Sequence, residues 1–415
     1  MRTMIENGTR GLATIALVVV GLGLSGCDDF LTVPNPNAVI AGEIDPVSDA
    51  RALALSTQQN FKQAWGDFIV EGGWFTGEIL SADINAPGNL WATRVVDQTL
   101  SSEFPELAQA IALGARVSEQ LEGTEVAGSI HAARAALFTG WSFLAMAEFY
   151  CQGAVGGGPA LSTAQMLESA ADRFSHAIDI SRGLGPGEAQ DFVNAGLVGR
   201  ARANLQLGRA GEASADAGQV AQGFVYNLTF VDDIANRTRL SNRVWDRTFG
   251  QSVVSVHPDF RDLDDPRVTV IPPEVNRHVP MDGQTEIFSP GKYTSYNDPI
   301  RLASRLEADY IAAHAQGNAA QLSLVQARRE ANGQPPYDGP MDDQSVFIEF
   351  MDQYSLDFYL EGKRMLYFRT DPFVLRGVQS PGTPYHKVGY EPYSATTCWP
   401  LPFKELANNP NFQGG

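Results

Sequence analysis

The side chains that enzymes use as bases, nucleophiles and metal ligands are present in this chain, but in no familiar working spacing. Its six histidines, at 131, 176, 257, 278, 314 and 386, include no pair three or four residues apart. No single helix face therefore presents two imidazoles to zinc in the HExxH manner. A GxSxG elbow, a GxxxxGK[ST] phosphate loop and a GxGxxG turn after a strand are all absent. Asp259, Asp262, Asp264 and Asp265 crowd one segment without the central Gly and terminal Glu of an EF-hand, which leaves a solvated turn and a calcium site as readings. Glycosidase carboxylates need only lie about 5 to 10 Å apart in space, so missing motifs lower the case for an enzyme without removing it. The expectation is a protein with no catalytic residues, no cofactor and no metal.

The cysteines carry a clearer message. Arg2 and Arg10 precede an apolar run from Gly11 to Leu24, and Leu24-Ser25-Gly26-Cys27 follows at once. That run is too short for a permanent membrane helix, which needs about 20 residues, and has the make-up of an export signal. The tetrad resembles the lipobox of bacterial lipoproteins, which implies cleavage after residue 26 and acylation (palmitate or a similar chain) at Cys27. Asp28 and Asp29 resemble the surface-export tag of Bacteroidetes-type lipoproteins, which points to the outer membrane and its exterior face. Cys151 and Cys398 remain, either joined as a disulfide or as two buried free thiols.

The elements that must position any site are mostly helical. Residues 27–44, with Pro34 and Pro36, read as an extended tether. Helical spacing predicts segments from Ser48 to about Phe61, Phe104 to Leu121, Ser129 to Phe149 and Thr163 to Arg182, then 188–207 and 209–222. Residues 71–98, rich in Gly, Asn and aromatics, read as a long loop. The run Leu205 to Ala213 resembles the turn of a tetratricopeptide unit, whose hairpins bury their apolar faces only by stacking. Further hairpins are expected at Pro299–Gln316 with Ala319–Ala331, and at Gln344–Leu360. Residues 223–298 alternate β-prone runs with Pro, Gly, Asn and Asp, giving loops and at most short strands. Residues 370–415 read the same way. The fold class expected is mainly α: about four tetratricopeptide-like hairpins in a right-handed solenoid, over about 129–222 and 299–368, with a loop-rich insert. Residues 45–415 form a single body.

Composition agrees. The 415 residues are 44% hydrophobic and 19% charged, which suits a folded core. With 30 Lys and Arg against 48 Asp and Glu, the net charge is −18. No dense basic run exists to neutralise a phosphate backbone, so nucleic acid is excluded as a partner. Cleavage after residue 26 removes two Arg and one Glu and leaves −19.

Three segments together resemble the SusD/RagB family of outer-membrane nutrient-uptake lipoproteins: Cys27 to Leu31, the stretch Pro299 to Ala313, and the tail Cys398 to Asn411. Phe358-Tyr359-Leu360-Glu361-Gly362-Lys363-Arg364 looks like that family's acidic-Gly-basic-Arg tetrad, and Asp265-Pro266-Arg267 resembles its DPR turn. Ser304 departs from the acidic residue usual there, and Cys151 and Cys398 are not general family features. The resemblance implies a helical body with a loop-built ligand face and no chemistry of its own. It also implies capture of oligosaccharides or peptides and their delivery to a SusC-like TonB-dependent transporter.

A sugar ring offers apolar C–H faces and a rim of hydroxyls, so a capture site wants exposed Trp or Tyr beside Asn, Asp or Arg. Trp74, Asn85, Asn89, Trp91 and Arg94 form one candidate group, and Trp245, Tyr293, Tyr296 and Asn297 a second; the alternative for each aromatic is packing a loop onto the helices. Trp141, mid-helix, reads as core. Arg301, Glu361 and Arg364 read as ion pairs between hairpins rather than a ligand clamp. Two other functions remain open at this level: a tetratricopeptide-type envelope scaffold, and a surface glycoside hydrolase.

Overall fold

The structure is a computed structural model that describes Asp45, residues 47–100 and residues 103–412. The signal segment 1–26, Cys27 and the tether 27–44 lie outside the described residues.

The expected helical body is what the chain forms. Its long elements are α1 (Ala50–Phe75), α2 (Ala86–Thr93), α3 (Phe104–Leu121), α4 (Ile130–Phe149), α5 (Thr163–Arg182), α6 (Glu188–Gln206), α7 (Ala210–Gln219), α8 (Arg305–Gln316), α9 (Asn318–Ala331) and α10 (Asp343–Asp357). From α3 onward each packs on the next, and α1 lies against α3 and α4. Paired as α1 with α3, α4 with α5, α6 with α7 and α8 with α9, they make four hairpin-like units. Sequence marks several boundaries: Ser129 accepts the Ala132 N–H ahead of α4, and Ser162 with Gln165 closes a capping box on α5. Trp141 is core, edge-on to Phe174 at 5.2 Å.

Three expectations are corrected. The hairpin expected at Gln344–Leu360 is one helix, α10, followed by a turn and the four-residue helix Met365–Phe368. Residues 71–98 are not one long loop: α1 runs on to Phe75, strand β1 (Ile79–Ser81) follows, and α2 occupies the rest. Gly66 and Gly72, inside α1, are close-packing sites. A Cβ at Gly66 would stand 2.8 Å from Arg243 Cγ, and one at Gly72 would stand 2.9 Å from a Phe149 ring carbon. Residues 300–304 are likewise not helical. They form strand β6 (Ile300–Ser304), and Ser304 accepts the Glu307 N–H to cap α8.

The insert between α7 and α8 leaves the body on β2 (Val225–Leu228) and returns on β6, and these two strands pair antiparallel with a register shift at Tyr226/Asn227. Inside it, β3 (Val254–Val256) pairs with β1, tying the insert to the end of α1, and β4 (Val270–Ile271) pairs with β5 (Ser289–Pro290). Short strands at most were expected here, and short strands are found.

The irregular C-terminal segment is stapled to the body. Cys151 and Cys398 form a disulfide, Cα to Cα 5.2 Å. Next to it Trp399, fully buried, meets Phe68, Phe75, Trp91, Phe149 and Tyr150 with ring centroids 4.3 to 6.1 Å away. A buried ionic cluster locks the helices together. Arg202 of α6 binds Glu148 of α4 through Nε and Nη2 (2.7 and 2.6 Å) and Glu307 of α8 through Nη1 (3.0 Å). Lys363 Nζ adds a bond to Glu307 and donates to the Leu302 carbonyl at 2.8 Å.

Candidate ligand-binding face

The two predicted groups part company in the structure. Trp74, Asn89, Trp91 and Arg94 are interior, so they do not form the exposed capture surface expected of them. Trp74 donates its indole N–H to the Leu80 carbonyl at 3.3 Å, and Trp91 packs on Trp399 at 4.3 Å. Asn89 donates to the carbonyls of Asp83 and Asn85 and accepts from Tyr385 Oη. Arg94 donates to the Gln379 carbonyl at 2.6 Å, its guanidinium carbon 5.3 Å from the Tyr393 ring centre. These groups fasten the C-terminal segment to α2. Of the first group only Asn85 is exposed, and its amide is turned onto Asp83 Oδ1 at 2.9 Å.

Trp245, Tyr296 and Asn297 do come together. Trp245 stacks on Phe249 at 3.9 Å and 29°, and meets Tyr296 edge-on at 6.4 Å. The His278 ring stands edge-on to Phe249 at 5.2 Å, and burial lowers its pKa, favouring the neutral form. Arg237 caps Tyr296, its guanidinium carbon 3.9 Å from the ring centre, while its Nε donates to Asp232 at 2.7 Å. Asn297 Oδ1 accepts the Asp232 N–H, which closes the rim. All four rings are only half-buried. Phe249, His278 and Arg237 escaped the sequence reading. The i, i+4 spacing of Trp245 and Phe249 was the available signal.

One buried side chain organises this face. Asn242 is fully buried; its Oδ1 accepts the Trp245 N–H at 3.1 Å, its Nδ2 donates to the Asp298 carbonyl at 2.9 Å, and its own N–H donates to the Tyr296 carbonyl at 2.9 Å. The turn carrying Phe249 is widened, with Gln251 N–H donating five residues back to Asp246 at 2.9 Å, the π-type bonding that often marks functional positions. Beneath it Arg243 joins Asp67 and Asp246, and Arg247 reaches Asp67 at 3.3 Å.

Tyr293 is buried, donating its hydroxyl to the Leu360 carbonyl at 3.0 Å, and forms the floor of a neighbouring cleft of about 290 Å³. Asn227, Lys292, Asp298, Pro299, Arg301 and Glu361 line the rest. Lys292 and Arg301 both bind Glu361, at 2.6 and 2.9 Å. Burial pushes the Glu361 carboxyl up, but Lys292, Arg301 and Lys363 outweigh it and hold the group below its ordinary range. The ion-pair reading thus holds for Arg301 and Glu361. Arg364 instead donates to the Thr76 carbonyl at 2.8 Å.

Among the described residues no set of three or more His, Cys, Asp or Glu is arranged to hold a metal ion, and no helix is long and apolar enough to cross a membrane. In the acidic segment, Asp265 is taken up by Arg267 at 2.6 Å.

No protein-family model and no curated protein matches the chain, whereas solved structures do. A SusD-like carbohydrate binding protein from Bacteroides vulgatus superposes with a TM-score of 0.65 at 13% identity, covering 88% of this chain and 97% of its own. A SusD/RagB family protein from Bacteroides thetaiotaomicron gives 0.64 at 12% identity, over 88% and 95%. A laminarin binding SusD-like protein gives 0.64 at 14% identity, over 86% and 97%. The chain therefore has the SusD-like fold, over nearly the full length of those proteins.

Proposed function

We propose that this protein is a cell-surface capture protein that binds an oligosaccharide on the Trp245–Tyr296 face and delivers it to a SusC-like TonB-dependent barrel in the outer membrane. The observation that carries this reading is the half-buried group of Trp245, Phe249 and Tyr296, held by Asn242 on a SusD-like body. Partly exposed rings of fixed orientation suit the apolar faces of sugars, while Asn297, Asp232 and Arg237 at the rim suit their hydroxyls. The likeness to a laminarin binding protein supports a glycan as the ligand.

In this reading residues 1–26 are removed, Cys27 carries the lipid and residues 28–44 tether one body formed by the rest. Buried acyl methylenes, worth about 0.8 kcal/mol each, hold the protein at the membrane surface. The protein works by binding without turnover.

The test is recovery of the native protein from solubilised outer membrane. It should co-purify with a large β-barrel transporter, and Cys27→Ala should release it from the membrane fraction. Recovery as a lone soluble species, with or without Cys27, would sink the proposal, as would release of reducing ends from a bound glycan.

A further inference from the structure

We infer that the cleft beside the aromatic face is an oxyanion subsite, so that the captured glycan is an acidic one carrying uronate carboxylates or sulfate esters. The inference rests on the glycan-capture reading above and names its substrate class.

The cleft is built around one carboxylate that holds two cations. Glu361 lies at the base with its side chain only 3% exposed, while those of Lys292 and Arg301 are 22% and 23% exposed. Arg301 spends Nε and Nη2 inward, on Glu361 at 2.9 Å each and on the Asp357 carbonyl at 2.7 Å. Its Nη1 has no hydrogen bond among the described residues. Lys292 donates to Glu361 Oε1 and to the Tyr359 carbonyl, both at 2.6 Å, which leaves its third N–H. Two cations are thus fixed by buried acceptors, and each keeps donor capacity for a group in the cleft. Aromatic contacts hold them further, Arg301 against Phe358 at 5.1 Å and Lys292 against Tyr293 at 5.9 Å.

The other acid on the wall, Asp298, is partly exposed, its oxygens taken up within its own turn. Its Oδ2 accepts from the N–H and hydroxyl of Thr294, and its Oδ1 accepts from the Ser295 hydroxyl at 2.6 Å. Its charge still opposes an anion, which confines attraction to the Lys292–Arg301 side. Asn227 supplies an exposed amide for a hydroxyl or a further anion oxygen.

Position joins this cleft to the aromatic face. Tyr296 and Asp298 are two residues apart, so their Cα atoms lie within about 7 Å, and Asn242 binds the carbonyls of both. A ring stacked at Trp245–Tyr296 would lie near the two cations. On a mature chain of net charge −19, a polyanion meets general repulsion, so binding must come from this local pair of charge-assisted donors and must weaken with salt.

The experiment is calorimetric titration of the full mature chain with three probes: polygalacturonate for carboxylate, chondroitin sulfate for sulfate ester, and neutral laminarin. At least one anionic probe should bind about tenfold or more tighter than laminarin, and Lys292→Gln should weaken it about tenfold, one charged hydrogen bond. Lys292→Arg should restore it. Which anionic arm responds separates the two sources. For the unmodified chain the anionic affinity should also fall between about 0.05 and 0.5 M salt, a readout that survives if Lys292→Gln fails to fold. Laminarin bound as tightly as both acidic probes, or an anionic affinity indifferent to salt and to Lys292→Gln, overturns this inference and leaves glycan capture standing. No binding to any of the three overturns both.

Discussion

Trp245 and Tyr296 stand edge to face, ring centroids 6.4 Å apart with planes crossed at 82°, and both are tethered to Asn242. Neither ring is fixed by burial, so the amide that fixes their backbones sets the geometry of the face. Asn242→Ala should cost about 1 to 3 kcal/mol, because the Asp298 carbonyl and the Trp245 N–H lose a buried partner. It should also weaken glycan binding although it removes no atom that a ligand touches. Urea unfolding with a parallel titration checks both; unchanged affinity in a folded variant would mean that Asn242 does not set the face's geometry.

The two tryptophan groups should behave oppositely. Trp91→Ala opens a cavity beside Trp399 and should cost about 3 to 5 kcal/mol. Trp245→Ala truncates a half-buried ring and should cost far less stability while removing stacking surface. Chemical denaturation of the pair separates them; equal losses would mean that Trp245 is core.

Helix boundaries were legible where apolar spacing was unbroken. The segments Phe104–Leu121 and Thr163–Arg182 are found as expected, and Ser129–Phe149 is found with Ser129 as its cap. Legibility failed at α1, where Gly66 and Gly72 cost helix propensity but admit Arg243 and Phe149. It failed again for Trp74 and Trp91, whose polar, Gly-rich surroundings suggested a surface. The Trp91 partner, Trp399, lies far away in sequence, and local pattern carries no sign of such a contact. Of the insert group, the exposure of Trp245, Tyr296 and Asn297 was readable because Asn, Asp and Pro around them mark an irregular surface, but Tyr293 is buried, and the Asn242 clamp depends on atoms brought together only by folding.

The disulfide closes a chain separation of 247 residues. Replacing both Cys151 and Cys398 by Ala should lower stability by about 2 to 4 kcal/mol through freedom returned to the unfolded chain. Thermal melts of the unmodified chain with and without reductant should reproduce the difference, and melts insensitive to reductant would contradict it.

Arg202 sits between two buried carboxylates, Glu148 and Glu307. Arg202→Met leaves both without their shared partner and should cost about 3 to 5 kcal/mol. Guanidinium unfolding checks this, and a neutral result would mean that Lys363 alone satisfies Glu307.

Burial, then the charges of Asp67 and Glu106, push Glu103 from 4.5 up to about 8. Between those values the folded protein keeps a proton that the unfolded chain has released, so this group's contribution to stability falls as pH rises and is flat above about 8. In urea unfolding at several pH values, Glu103→Gln should gain on the unmodified chain as pH rises; a difference constant from pH 5 to 8 would contradict the shift.

The Trp245–Tyr296 face should bind a glycan directly. Calorimetric titration of the mature protein with a panel of soluble glycans, beside Trp245→Ala and Tyr296→Ala variants with melting temperatures near that of the unmodified chain, tests it most directly. Saturable binding of at least one glycan is expected, weakened about tenfold or more by each variant, the scale of one ring's stacking. Binding that both variants leave intact, or no binding across the panel, would contradict it.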